Sequence, residues 1–589
     1  MPKYGTPPKN VEGLGDVTSI VSTQFAKETT LYNDFCVDWH RAFGAHDVQL
    51  FGGFRMNSYS YNASNITGYN NDQDKMPNMA YSLQYKSYGG ANDKWTNLAY
   101  YLNAGYNYKN KYFLTGTMSM EASSRFGKKA EQGIKLCGVT WGLFPSLQAA
   151  WVMSSEKWFN VKGIDYLKLT GGYEISGNDN IDYYATRTYF ANTQFLDKAT
   201  ALVLENIQNP KLQWETTKRY NIGLQASALN NRLNFAIEYF HSNTDHLLTR
   251  KAVSDITGLA TMWSNDGSLR NSGVDFNVNA MLVQRKDWRW QAGFSIGHYK
   301  NEITALPSTS LNTIRTYALD EYGNRIAETE KQIHGYTSSV YGTNNILTAV
   351  GHAAGVFYGY KTAGVFSSDA EARAAGKDGN YLRYPTGLAE QPSRDFKAGD
   401  VHFVDQNGDG WINEADMVVI GDPNPDIYGN IYTSLSWKGL KLDVNFKYSL
   451  GNDVFNYQRS QLEALNNNWN QTTAAVNRWR YEGQKTDIPR AMDPTSTQWV
   501  NNERFSDRWI EDGSYLKLKN IRLTYNVPVN LSWLLGLSVW GECNNVFTIS
   551  KYTGNDPEFS AGNGVLYQGI DAGYLNQGRN FNLGVTINL

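Results

Sequence analysis

The sequence predicts an all-β chain, folded as a transmembrane antiparallel β-barrel, and three observations carry that reading. Residues 429–448 form two alternating runs, Ile431, Thr433, Leu435 and Trp437, then, after Lys438-Gly439, Leu440, Leu442, Val444, Phe446 and Tyr448, with polar neighbours between them. Side chains alternate across a strand, so this is a hairpin with one apolar and one wet face. Its runs have the length of a tilted bilayer-crossing strand, and Trp437 and Tyr448 stand at opposite ends of the apolar face, where barrels carry aromatic girdles. The second observation is composition. Aromatics reach 14% of residues and glycine 53 positions, a bias toward strands, tight turns and interfacial belts rather than helical bundles. Third, Phe581, Leu583, Val585, Ile587 and Leu589 alternate with Asn582, Gly584, Thr586 and Asn588, so the chain ends on a strand.

At 589 residues with no low-complexity tract or Pro/Ser-rich linker, the chain reads as one large architecture. The 54 basic and 56 acidic residues nearly cancel without forming blocks, which gives no electrostatic footprint for nucleic acid. Cys36, Cys137 and Cys543 are odd in number and lack CxxC spacing, so they read as structural thiols rather than a disulfide or zinc framework. No window approaches the apolar length of a transmembrane helix, and the mean hydropathy is negative. A barrel is compatible with both, because only every second strand residue must be apolar. No HExxH pair, GxSxG elbow or P-loop is present, so no enzymatic activity is expected.

Taken in order, residues 1–33 read as an N-terminal extension or the start of the first strand, and 34–589 as about fifteen strands of a partial barrel. Phe35, Val37 and Trp39 run to a turn at Gly44-Ala45-His46-Asp47, and Val48, Leu50, Gly52, Phe54 and Met56 run back. Residues 57–95 are rich in Tyr, Asn, Ser and Gly without periodicity and read as a long polar loop. Further hairpins are expected at 102–108 with 113–118, 143–152 with 166–175, 220–228 with 233–239, and 274–282 with 290–296. After the 429–448 hairpin come strands at 516–527, 537–547 and 581–589. The apolar phase slips between Leu518 and Ile521, which predicts a β-bulge near Lys519-Asn520. Short turns alternate with long loops, the asymmetry of outer-membrane barrels with short periplasmic turns and long extracellular loops.

Several blocks together resemble the SusC/RagA family of TonB-dependent outer-membrane transporters. They are Ser123-Ser124-Arg125-Phe126-Gly127, Gly177-Asn178-Asp179-Asn180, Trp214-Glu215-Thr216-Thr217, Phe357-Tyr358-Gly359-Tyr360-Lys361, residues 405–416, 420–426 and 512–520, and Tyr552-Thr553-Gly554-Asn555-Asp556-Pro557-Glu558. The resemblance implies a 22-stranded barrel with an N-terminal plug. It also implies outer-membrane import of oligosaccharides or peptides, a SusD-like surface lipoprotein as partner, and energy coupling through TonB by way of the plug. The sequence departs from the family at its start, where Met1-Pro2-Lys3-Tyr4 begins no secretory signal and no plug precedes the first hairpin. The chain is therefore expected to be the C-terminal barrel portion, a fragment or one half of a split protein. A passive porin and a secreted, soluble β-rich carbohydrate-binding protein are the alternative readings.

Two groups of side chains are candidates for ligand chemistry. Residues 405–416 fit a calcium loop, with Asp405, Asn407, Asp409, the Trp411 carbonyl and Asp416 as oxygen ligands and Gly410 at its sixth position. The alternative is an Asx-rich turn closed by its own side chains. Tyr59, Tyr61, Tyr69, Trp469, Trp479 and Trp499, among many Asn and Gln residues, could stack on sugar rings, although loop packing or interfacial belts would use the same residues.

Overall fold

The computed structural model describes residues 9–11, 15–17, 20–69, 85–195, 199–259, 261–319, 324–386, 388, 391–529, 533–575 and 577–588. The chain divides into two compact units, Met1–Gln148 with Glu174–Thr217 and Leu248–Asn265, and Ala149–Tyr173 with Lys218–Leu247 and Asp266–Leu589. The wall strands are β1 Ile20–Phe43, β2 His46–Tyr69, β3 Tyr85–Tyr108, β4 Tyr112–Ser123, β5 Val139–Val152, β6 Ile164–Asn178, β7 Glu215–Ala228, β8 Leu233–Ala252, β9 Thr261–Gln284, β10 Trp288–Ala305, β11 Ile427–Trp437, β12 Leu440–Leu450, β13 Tyr515–Val527, β14 Gly536–Ser550 and β15 Asn580–Asn588. The alternating segments of the sequence are thus strands, and the chain is all-β.

In the first unit β1 to β4 pair antiparallel in chain order, and β1, β2 and β3 run 24 residues each without a register shift. At about 3.3 Å per residue such a strand reaches roughly 80 Å, far more than a bilayer crossing requires. Phe35, Phe54 and Tyr100 are cross-strand partners on one face, as are Val37, Gly52 and Leu102. Phe35, Val37, Tyr100, Leu102 and Met118 are all exposed. The other face is polar: the Asp34 carboxylate accepts hydrogen bonds from Tyr32, Arg55 and Tyr101. An exposed apolar face backed by a polar one is the inverse of a soluble core and the pattern of a lipid-facing wall.

The expected polar loop at 57–95 is corrected on both of its described flanks. β2 continues to Tyr69 and β3 begins at Tyr85, with Tyr59 opposite Trp95 and Tyr61 opposite Asp93, while 70–84 lie outside the described residues. Ladder hydrogen bonds need no apolar face, so a strand with two wet faces continues where its periodicity has vanished. Of the two readings of residues 1–33, an extension or the start of the first strand, residues 20–33 follow the second, since β1 covers Ile20–Phe43.

In the second unit β9 to β15 are consecutive antiparallel neighbours. The 429–448 hairpin pairs as its alternation requires: Val444 stands between Thr433 and Ile521, and Phe446 between Ile431 and Leu518. Asn445 pairs with Asn520, and the next pair is Phe446 with Leu518, so Lys519 bulges out at the expected place. At the short-turn end Trp288 and Trp437 stack with ring centroids 5.7 Å apart. β15 covers the expected final strand to Asn588, and Leu589 lies outside the described residues.

Tight turns join β9 to β10 and β11 to β12, whereas residues 306–426, 451–514 and 551–579 return the chain at the other end. These three long connections share cores of their own. Val340, Ile346 and Phe357 from the first pack with Phe455 and Trp509 from the second and Ile570 from the third. A second cluster joins Phe366, Leu382, Phe396, Val401, Phe403 and Ile412 with Val500. The connections are therefore a folded layer built on the strand ends.

The face assignment yields a sharp expectation. Val444→Arg places a cation on the apolar face and should cost about 2 to 4 kcal/mol if it lies near the bilayer midplane, whereas Asn445→Arg joins the polar face at little cost. Heat-modifiable gel mobility of the assembled protein measures this, and equal tolerance at 444 and 445 would refute the assignment.

Candidate functional site

The folded layer of the second unit is fastened to the wall by ion pairs. Lys517 of β13, buried at 2% exposure, donates to Asp556 and Glu558 at 2.8 Å each, and Lys447 of β12 donates to Glu558 at 2.6 Å. Burial works to raise the Glu558 carboxyl, but hydrogen bonds and charge from Lys447 and Lys517 hold it down at about 2. Tyr552 donates to Asp571 at 2.9 Å, and Glu511 accepts from Thr553 and Arg459. The block 552–558 and the block 512–520, far apart in sequence, thus meet at one brace.

Two cavities open in this layer and share Tyr360, Glu414 and Arg504. One, about 290 Å³, is lined further by Tyr341, Phe455, Gln461, Phe505 and Trp509. The other, about 530 Å³, is lined further by Arg315, Thr316, Tyr317, Arg325, Tyr384 and Asn413. Volumes of this size suit small ligands. The Arg504 guanidinium lies 4.3 Å from the Tyr384 ring centroid, 5.3 Å from Phe396, 5.4 Å from Phe403 and 6.0 Å from Tyr360. Burial pushes its pKa down, and the neighbouring Tyr360, Tyr384 and Asp400 pull it back up. Asp400 is itself occupied, holding Arg490 through two bonds of 2.8 Å and Asn502 at 3.0 Å. Arg325 stacks on Tyr317 at 3.9 Å, and Arg315 is paired with Glu330 at 2.7 Å.

The 405–416 turn gathers Asp405, Asn407 and Asp409 as its spacing requires. Asp405 accepts from the Gly408 and Gly410 amides, Asn407 from Asp409, and Asp409 from Trp411, each at 2.7 to 3.0 Å. Asp416, fully buried, accepts from the Gln406 and Asn413 amides, and burial raises its carboxyl to about 6. Behind the turn the Lys331 ammonium donates to the carbonyls of Ala415 and Met417. Among the described residues no three acidic, histidine or cysteine side chains converge as a ligand group. Each side-chain oxygen keeps a second lone pair, so the residue types fit calcium while the present geometry is that of a self-capped turn.

The six aromatics singled out from the sequence are not brought together at these cavities. Tyr59, Tyr61 and Tyr69 sit on strand β2, not on a loop, and Tyr59 stacks on Tyr183 with centroids 6.1 Å apart. Trp479 is packed against Gly399, where a Cβ would meet its ring at 2.5 Å, and donates to the Ser367 carbonyl at 3.2 Å. The Trp499 carbonyl accepts from Tyr384 and Arg394. Trp469 is the most exposed of the three tryptophans at 68%. The residues that do line the cavities, Tyr317, Tyr360, Tyr384, Arg504 and Trp509, escaped sequence reasoning because they come from widely separated stretches with no periodicity. The signals that pointed there were the Phe357-Tyr358-Gly359-Tyr360-Lys361 block, which holds Tyr360, and the 405–416 motif, which holds Asn413 and Glu414.

In the first unit the blocks also meet. Ser123 donates to Asp179 at 2.7 Å, Arg125 donates to the Asp179 carbonyl at 2.9 Å, and Phe126 packs on Trp214 with centroids 4.7 Å apart.

The family model described as TonB dependent receptor-like, beta-barrel matches residues 4–393. The chain is 26% identical over 585 residues to TonB-dependent receptor P3 of Formosa agariphila, covering 96% of this chain and 53% of that protein. It is 26% identical over 594 residues to TonB-dependent receptor SusC of Bacteroides thetaiotaomicron, covering 97% and 50%. Among solved structures, the RagAB peptide transporter superposes with a TM-score of 0.73 at 20% identity over 96% of this chain and 56% of that one. The chain spans about half the length of the curated relatives it matches.

The Glu558 brace has a definite pH signature. Its folded carboxyl lies below the ordinary 4.5, so its stabilisation is complete above that pH and is lost as the pH falls toward about 2. Glu558→Gln should loosen the 552–558 segment at neutral pH by about 2 to 3 kcal/mol, read as faster amide hydrogen exchange there. Unchanged exchange in the variant would show that the lysines, not the carboxylate, carry the brace.

Proposed function

We infer function from family: this chain belongs to the TonB-dependent receptor-like β-barrel family, whose members are outer-membrane proteins, and we propose that it serves import of oligosaccharides or peptides. The observation that carries the proposal is the folded layer of long connections with its two aromatic and arginine-lined cavities, placed at the strand ends opposite the short turns. A layer of this kind can capture a ligand and hand it to the lumen, which a bare pore does not require. In this reading the wall strands belong to a 22-stranded barrel, energy arrives from TonB through a plug domain separate from these residues, and a SusD-like surface lipoprotein delivers the ligand. The likeness to the RagAB peptide transporter supports the fold of this reading. Uptake of labelled ligand into cells carrying the whole protein tests the reading. It is expected to stop when TonB is inactivated, and uptake that continues unchanged would mark a passive pore instead.

For the 405–416 turn we propose calcium as the ligand of Asp405, Asn407, Asp409, Asp416 and the Trp411 carbonyl. The support is the shared turn, the oxygen at each required position and the glycine at the sixth, where Gly410 has φ of +85°. Calcium is expected to protect this segment from protease in the unmutated protein, and Asp409→Ala to abolish the protection while the barrel stays assembled. No calcium-dependent difference in the unmutated protein would leave the turn a structural brace.

A further inference from the structure

The smaller cavity holds a carboxylate that the fold leaves without a counter-charge. Glu503 is half-buried on its wall, where one carboxylate oxygen accepts from the Asn466 side-chain amide. The other oxygen has no partner among the described residues, and it is not sealed inside the protein. Burial raises this carboxyl and the Asn466 bond lowers it, while among the described residues no cation lies within ion-pair reach. Taking a carboxylate out of water costs free energy unless a cation or further donors meet it. The open side of Glu503 therefore calls for a positive group that enters the cavity.

The charges around it do not supply that group. Glu414 and Arg504 line both cavities and cancel, and in the larger one Arg315 and Arg325 are matched by Glu328 and Glu330. Arg504 answers to Tyr360, Tyr384 and Asp400 and donates to the Asn501 carbonyl at 3.2 Å. Arg459 and Arg508, stacked on Trp509, lie beside Glu463, Glu511 and Asp507. Lys331 is engaged by the Ala415 and Met417 carbonyls next to Asp416. What remains is the single negative charge of Glu503. Tyr341, Tyr360 and Phe505, all half-buried, line the same space, and the face of an aromatic ring attracts a cation. The Tyr360 hydroxyl is neither sealed nor bonded among the described residues, and the Gln461 amide is exposed on the same lining. One carboxylate, two neutral acceptors and three rings suit an ammonium with its three N–H donors, whereas calcium would want six or more oxygens.

We propose that the smaller cavity binds a protonated amine of the imported ligand, with Glu503 as its counter-charge, the Tyr360 hydroxyl and Gln461 as further acceptors, and the rings of Tyr341 and Phe505 beside it. The proposal rests on the import reading for its ligand source. An amino sugar on an oligosaccharide and a lysine side chain or free N-terminus on a peptide present the same group, and the test separates them. At about 290 Å³ the space admits one sugar ring or one side chain rather than a whole chain.

The whole protein, extracted in detergent, is titrated by calorimetry at about pH 6, where these amines are charged, with two probe pairs. They are a glucosamine oligomer against its N-acetylated form, and a lysine-containing peptide against its fully acetylated counterpart. In at least one pair the amine should bind about tenfold more tightly, the scale of a charge-assisted hydrogen bond, and the pair that shows it names the source. Glu503→Gln should erase that preference and leave the acetylated member unchanged. Glutamine keeps an acceptor for Asn466, so the melting temperature is expected to stay where it was. Equal binding of amine and acetylated members in both pairs, or a preference that survives Glu503→Gln, would overturn the assignment. Binding in detergent needs neither TonB nor uptake. An amine preference without TonB-dependent uptake therefore refutes import alone, and uptake without the preference refutes the amine site alone.

Discussion

In the hydrocarbon of a bilayer no water is present to satisfy a stray N–H or C=O, so every backbone group of a crossing strand must be bonded to its neighbour. The rest of this chain follows from that constraint. It demands ladders, and β1 to β4 in one unit and β9 to β15 in the other form them with few register breaks. It leaves side chains free to divide by face, so Phe35, Val37 and Leu102 can turn outward while Asp34, Arg55 and Tyr101 bond to each other on the other side. Where the wall must approach itself closely, glycine is needed: a Cβ at Gly53 would meet the Phe35 carbonyl oxygen at 2.2 Å.

What the sequence makes legible is what the bilayer enforces. Alternation at 429–448 identifies the faces of β11 and β12, and the phase slip at Leu518 to Ile521 locates the bulge at Lys519. Both signals exist because one wrong residue would put a polar group in lipid or an apolar one in the lumen. Where neither face meets lipid the same backbone carries no such code. The far ends of β2 and β3, with Tyr59, Tyr61 and Asn62, are as regularly paired as their lipid-facing halves, yet their composition is that of a loop.

The folded connections were the least legible part, and for a different reason. Their cores join Phe357 to Phe455, Trp509 and Ile570, contacts that no local pattern announces. The same holds for the aromatics chosen as sugar platforms. A tryptophan in a polar stretch is equally a packing residue, and Trp479 against Gly399 is one. The calcium-like spacing was legible as a turn, since Asp405, Asn407 and Asp409 each cap backbone amides in register with the motif. Spacing fixes that geometry whether or not an ion completes it.

The blocks that carry the family resemblance therefore have a common physical character: they sit where one segment is fastened to another. Ser123 bonds Asp179, Lys517 bonds Asp556 and Glu558, and Asp453 accepts the Asp422 amide at 2.9 Å. Such contacts hold the layer on the wall, and any ligand can be served by the same fastening. The larger cavity divides along this line. Tyr360, Ile412, Asn413 and Glu414 come from blocks, whereas Arg315, Thr316, Tyr317, Arg325, Tyr384 and Arg504 come from outside them. Of its three tyrosines Tyr360 belongs to the blocks, whereas Tyr317, Tyr384 and the three arginines come from outside them. Tyr384 belongs to the apolar core of the layer and Arg504 lies among its aromatic rings, so the lining of this cavity and the packing of the layer share side chains.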